Sequence, residues 1–140
     1  MKIRILSKGS KQSKKFNERE WSEANIEHFG HSSDWNTKHF MLEAYDKNEL
    51  IGSLSLKTEG GVGYISTMLV AKNHRRSGVG EKLMEKAKKI AQREKAHKIY
   101  LQTGKDWRSV IFYKKLGYKI TGKLKNHYFN KDFIELTQFI

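Results

Sequence analysis

The chain has 140 residues, enough for one ordinary domain that buries roughly two-thirds of its unfolded surface. Its formal charge of +13 draws polyanions of any kind, whether nucleic acid, acidic protein or a phosphorylated cofactor, but equally describes a lysine-rich solvated surface, so charge alone names no partner. Cysteine is absent, which excludes disulfides and thiolate metal sites, and no apolar run is long enough to cross a bilayer or to serve as a secretory leader.

These features point to a cytoplasmic location. With no proline, no internal repeat and no linker-like stretch, residues 1–140 are expected to form a single domain. Residues 2–6 alternate basic and apolar side chains, as a short edge strand would. Residues 8–15 are polar and basic, hence a loop. A helical pattern runs over 17–29 with Trp21, Ile26 and Phe29 as its large apolar residues, and Gly30 can end it. Trp21 is expected in the core. Residues 31–37 read as loop or a short second helix.

Three strands follow. Residues 39–45 place Phe40, Leu42 and Ala44 on one face and His39, Met41, Glu43 and Tyr45 on the other. The turn Asp46-Lys47-Asn48-Glu49 leads into a strand over 50–56, and Glu59-Gly60-Gly61 turns into the continuously apolar strand 62–70. Beyond the loop 71–77 comes a helix whose Val79, Leu83, Met84, Ala87, Ile90 and Ala91 form one stripe, with lysines and glutamates opposite. Residues 99–101 are a strand core, Asp106 is a candidate N-cap for a helix over 107–116 ended by Gly117, and 118–124 with 133–139 form a last hairpin. The order β-α-βββ-α-β-α-ββ predicts an α/β domain with a mixed sheet.

The junction of strand, basic loop, two glycines and helix carries the most chemistry. A helix N-terminus presents unpaired N–H groups and a partial positive charge to an anion. Gly78 and Gly80 let the backbone approach it closely, and Arg75 and Arg76 add charge-assisted contacts. A basic helix start that uses its glycines only to turn remains the plainer alternative. Spacing rejects two other phosphate motifs: GxGxxG fails at its last glycine, and the GxxxxGK[ST] loop fails because Glu81 follows Gly80.

Arg75-x-x-Gly78-x-Gly80 resembles the R/Q-x-x-G-x-G/A signature of the GNAT superfamily of N-acetyltransferases. The resemblance extends to the preceding strand, Gly63 to Val70, and to Ser109-Val110-Ile111-Phe112-Tyr113-Lys114-Lys115-Leu116-Gly117-Tyr118, which is similar to the family's A-x-x-F/L-Y-x-x-x-G-F/Y segment. It spans roughly Phe40 to the C-terminus. It implies a GNAT-like mixed sheet of about seven strands flanked by helices on both faces, and an enzyme that moves an acetyl group from acetyl-CoA to an amine by direct attack. It further implies that the backbone of Met68, Leu69 and Val70 pairs with the pantetheine arm, and that Arg75, Arg76, Ser77, Gly78, Val79, Gly80 and Glu81 hold the pyrophosphate. A backbone N–H near Met68 would stabilise the oxyanion, and Tyr113 would be the general acid.

The chain departs from the family at two points. Ser66 and Thr67 stand where many relatives carry a basic glutamate, while Glu59 lies about 25 Å away along the strand and Glu43 is two strands distant. No residue is therefore assigned as base. Asp106 stands where relatives often have an asparagine on the cofactor arm, and lacks the amide donor. His28 and His31 have no convincing third ligand, so no metal is expected; His74 adds to the basic loop. Trp35 and Tyr45 fall near the region where relatives build the acceptor pocket.

Two other readings stand beside the enzyme. The fold and cofactor could serve a catalytically inactive CoA-binding sensor or partner module, which the missing glutamate favours. A nucleic-acid-binding module has only net charge behind it, because the aromatics do not cluster with the basic residues. The acceptor, small molecule or protein, is not readable, although a basic chain leans towards an acidic one. Oligomeric state is equally open, a homodimer included.

Overall fold

The computed structural model describes residues 1–31 and 34–140; Ser32 and Ser33, within the stretch expected as loop or short helix, lie outside the described residues. It holds two compact units, Met1–Asp34 and Trp35–Ile140.

The first unit is built on α1 (Lys11–Phe29). Ser10 caps it, its Oγ accepting from the Ser13 N–H at 3.1 Å, and Gly30 ends it in the left-handed region with its N–H donating to the Ile26 carbonyl at 2.9 Å. The C-terminus falls where expected. The start does not: Lys11, Lys14 and Lys15 are basic residues at the positive end of the helix dipole, a pattern that resembles a loop until the Ser10 cap is counted. The expected edge strand over 2–6 is not formed. Residues 1–6 have no regular structure, and Ile3 and Ile5 are exposed. Trp21, expected in the core, is exposed as well.

The second unit runs β1 (Lys38–Asp46), β2 (Glu49–Glu59), β3 (Val62–Val70), α2 (Val79–Arg93), β4 (Lys98–Gly104), α3 (Ser109–Lys115), β5 (Lys119–Leu124) and β6 (Phe133–Phe139). The sheet has six strands in the order β1-β2-β3-β4-β6-β5, one fewer than expected. Every neighbouring pair is antiparallel except β3–β4, where the connection through α2 lets the two strands run parallel.

Alternation along the strands sends Leu54, Leu56, Ile99, Leu101, Ile134 and Leu136 to one face, where they share a core with Leu83, Met84, Ala87, Ile90 and Ala91 of α2 and Tyr113 of α3. The stripe read from the sequence is thus the buried face of α2. Gly52 of β2 matters to the site, because a Cβ there would lie 3.0 Å from Val79 Cγ1 and 3.1 Å from Leu83 Cδ1. Its bare backbone lets the first turn of α2 settle onto the sheet.

α3 is shorter than its pattern suggested, and Asp106 does not cap it. The Trp107 N–H instead donates to the Gly104 carbonyl at 3.1 Å, so the chain turns before the helix begins at Ser109. Arg108 holds the N-cap position with no side-chain cap bond, and the Ser109 hydroxyl meets the Thr103 hydroxyl at 2.7 Å, tying the helix start to β4.

Candidate functional site

The parallel pairing of β3 with β4 stops early. It runs from Val62↔Lys98 to Ile65↔Leu101 and no further, although β3 continues to Val70. The change coincides with a bulge: the β2–β3 register slips between Leu56↔Ile65 and Ser55↔Thr67, leaving Ser66 as the extra residue. Past the bulge, β3 keeps its bonds to β2 alone. The Ala71 N–H donates to the Ile51 carbonyl at 2.8 Å, so antiparallel alternation turns the backbone groups of Leu69 and Thr67 towards β2 and those of Met68 and Val70 towards the open side. An extended ligand can pair there as a strand would.

The loop after β3 makes one 3-10 turn, Lys72–His74, and then changes direction through two residues of positive φ, Arg76 at 61° and Gly78 at 85°. Inside it, Arg75 Nε donates to the Val70 carbonyl at 3.3 Å, and the Ser77 hydroxyl donates to the His74 carbonyl. His74 leans away from the arginines, its Nε2 lying 3.6 Å from Asp46 Oδ2. The first bond of α2 runs from the Lys82 N–H to the Gly78 carbonyl at 3.1 Å, so the N–H groups of Val79, Gly80 and Glu81 have no acceptor within the helix. A Cβ built on Gly78 would meet nothing within 4 Å, so the space beside this residue is open. Free donors, a helix dipole and two exposed arginines suit a phosphate.

Gly80 has a different use. It is buried, and a Cβ there would fall 3.2 Å from Phe112 Cζ and 3.7 Å from Met68 Cε. The end of β3, the start of α2 and the face of α3 therefore meet at one glycine. Tyr113, next to Phe112, is buried, with its ring 5.1 Å from that of Phe112 and 5.9 Å from that of Tyr118. Burial pushes the Tyr113 phenol up to about 12 and raises Tyr118 as well, so both keep their protons at neutral pH.

No carboxylate stands on β3 beside the gap, where Ser66 and Thr67 are exposed. Glu59 is tied to Lys57, whose ammonium holds its carboxyl below the usual range. Glu43 accepts from the Tyr45 hydroxyl at 2.7 Å, which raises that phenol. Tyr45 is thus an exposed β1 residue engaged with its own strand. Trp35 does line a cavity, of about 430 Å³, whose other walls include Tyr64, Tyr100, Gln102 and Glu135 on the face of the sheet away from α2. Of these, only Trp35 carried a sequence signal. Among the described residues, no group of three or more His, Cys, Asp or Glu could hold a metal ion, and no helix is long and apolar enough to cross a membrane.

A strand opened by a bulge, a glycine-arginine loop at a helix start and a buried tyrosine on the next helix fit the resemblance to GNAT acetyltransferases carried by the sequence. The family model of GNAT acetyltransferases matches residues 9–118, and the chain belongs to that family. Solved structures agree in fold. An acetyltransferase from Bacillus cereus superposes with a TM-score of 0.76 at 16% identity over 98% of both chains. A Bacillus anthracis protein assigned as a streptothricin acetyltransferase, solved in complex with acetyl coenzyme A, gives 0.69 at 26% identity over 73% of this chain and 63% of its own. A GNAT family acetyltransferase from Elizabethkingia anophelis with acetyl-CoA bound gives 0.66 at 23% identity over 71% and 75% of the two chains. Among curated proteins, none matches the sequence significantly.

Proposed function

We propose that residues 1–140 act as one acetyltransferase domain that moves the acetyl group of acetyl-CoA to an amine. The observation that carries this reading is the open loop at Gly78, leading into Val79 and Gly80, beside a β3 edge whose Met68 backbone groups and Val70 N–H face a gap that β4 does not fill. In this reading the N–H groups from Gly78 to Glu81, with Arg75, Arg76 and Ser77, bind the pyrophosphate. Met68, Leu69 and Val70 receive the pantetheine arm. Acetyl-CoA supplies the thioester, and the Met68 N–H stabilises the negative charge that develops on its oxygen.

Tyr113 protonates the departing sulfur. A phenol at about 12 is a weaker acid than a thiol at about 8.5, so transfer even to the fully departed thiolate is uphill by about 5 kcal/mol, and the intact thioester sulfur is far less basic still. Donation therefore accompanies C–S cleavage. The attacking nitrogen becomes strongly acidic once it bonds the carbonyl carbon, and its proton restores the phenol. This cycle needs no carboxylate on β3, provided the amine arrives neutral.

The bare Ser66 and Thr67 favour a second reading, a CoA-binding module without catalysis. Titration with acetyl-CoA, followed by a thiol-release assay over an amine panel, separates the two. Saturable binding with amine-dependent thiol release is expected. Binding without release would leave the inactive module, and no binding at near-millimolar acetyl-CoA would overturn both.

A further inference from the structure

β6 carries a carboxylate to which the mechanism above gives no task. Glu135 alternates with Ile134 and Leu136, which lie in the core, so its side chain projects from the sheet face opposite α2. It pairs in register with Gln102, the residue directly after Leu101, where β3 and β4 cease to pair. Glu135 thus stands at the level of the Ser66 bulge, one strand away from the gap, with β4 between them.

Its geometry is held by neighbours. The β5–β6 register slips between Ile120 and Gly122, and this bulge turns Thr121 towards Glu135. The Thr121 hydroxyl donates to Glu135 Oε1 at 2.7 Å and lies 2.7 Å from the hydroxyl of buried Thr137, which completes a relay of two threonines behind one carboxylate oxygen. Gly122 sits opposite, where a Cβ would come within 3.3 Å of Glu135 Cβ. Oε1 is fixed, and among the described residues Oε2 takes no ion pair.

Glu135 lines the cavity of about 430 Å³ together with Tyr64 and Tyr100, whose rings lie 4.8 Å apart. Two lysines and two glutamates share these walls; Lys57 and Glu59 neutralise each other, and Lys98 pairs in register with Phe139, four residues along β6 from Glu135. Among the described residues Glu135 has no lysine or arginine within ion-pair distance. In a chain of +13, an anchored carboxylate outside an ion pair, beside two tyrosine faces, suits an alkylammonium.

That ammonium is not the nitrogen that is acetylated, because Glu135 lies two strands from β3, roughly 10 Å across the sheet. The reacting nitrogen belongs near Met68, two residues beyond Ser66 and about 7 Å further along β3. We propose that Glu135 binds a second, cationic nitrogen of the acceptor, so that this chain selects short alkyl diamines over monoamines. The proposal rests on the acetyl-transfer reading, and names the acceptor class for that site.

The test compares diaminopentane with pentylamine, using the full chain and acetyl-CoA. The wild type is expected to favour the diamine in kcat/KM by roughly 10-fold or more, and Glu135→Gln to abolish that preference through KM, with acetyl-CoA affinity and Tm unchanged. Glu135→Asp should restore part of it. Equal use of both amines by the wild type, or an unchanged preference in Glu135→Gln, would overturn the proposal. Should Glu135→Gln not fold, pentyltrimethylammonium, which cannot be acetylated, must compete with the diamine in the wild type; absence of competition overturns it too. If no amine releases thiol, the acetyl-transfer reading fails by itself, and calorimetry of diaminopentane on the acetyl-CoA-loaded chain still decides Glu135. Loss of binding in Glu135→Gln supports the role, and equal binding refutes it.

Discussion

Tyr113 combines two properties that usually conflict, burial and a part in proton transfer. Its ring packs in the core between Phe112 and Tyr118, so Tyr113→Phe keeps most of the packing and removes only the hydroxyl. Turnover is expected to fall by roughly 10²–10⁴-fold with the acetyl-CoA Kd nearly constant; a turnover within twofold of wild type would take Tyr113 out of the mechanism. The same burial has a thermodynamic consequence. An unfolded tyrosine titrates near 10, whereas folded Tyr113 titrates at about 12, so the unfolded chain gives up its proton first. The stability owed to this group is full below about pH 10 and is lost as pH rises through 12. Tyr113→Phe should therefore show a shallower fall of Tm between pH 10 and 12 than the wild type, and parallel curves would contradict the burial. Gly78 offers a third test at this scale. Its φ of 85° strains any side chain, yet the surrounding space is open. Gly78→Ala is expected to cost roughly 1–2 kcal/mol from the left-handed backbone, read as a lower Tm. It should also weaken acetyl-CoA binding, because the methyl enters the open space beside the start of α2.

At the scale of elements, α2 is the part that local pattern determines most completely. Its apolar stripe, its start after Gly78 and its place after the most apolar strand are all written in consecutive residues, which is why the cradle is legible in the sequence. The bulges at Ser66 and Thr121 are different. Each is a mismatch between two strands, and neither strand alone shows it, so the opening of β3 from β4 and the aiming of Thr121 at Glu135 were illegible in sequence. The missing edge strand over 2–6 fails for a related reason, since alternation marks a strand only if a partner strand exists. Asp106 was a sound capping residue by type, but the turn onto Gly104 moved the helix start three residues past it, to Ser109. What α2 does with its N-terminus can be tested through the charges around it. Replacing Arg75 and Arg76 together by glutamine leaves the donors of Val79, Gly80 and Glu81 in place, and should raise the acetyl-CoA Kd by roughly 10-fold while flattening its dependence on salt. An unchanged Kd would mean that the arginines serve only the loop, where Arg75 already engages the Val70 carbonyl.

For the molecule as a whole, the question is whether an excess of 13 positive charges or a built site governs what it binds. A field of that size attracts every polyanion, but it acts on folded and unfolded chains alike, and salt screens it within about 10 Å at 0.1 M. A site exists only in the folded chain. Its ligand therefore stabilises the fold by mass action, by about 2.7 kcal/mol at a hundred times Kd. For a chain of this length that corresponds to a rise in Tm of roughly 8 °C. Acetyl-CoA at saturating concentration should produce such a rise and keep most of it when the salt is increased to physiological strength. A short RNA of greater total charge should give a small shift that disappears over the same range. Thermal unfolding followed with each ligand at two ionic strengths measures both. If the RNA stabilised the chain as much as acetyl-CoA did, and with the same salt resistance, the cradle at Gly78 would have no claim on coenzyme A beyond that of the surface charge around it.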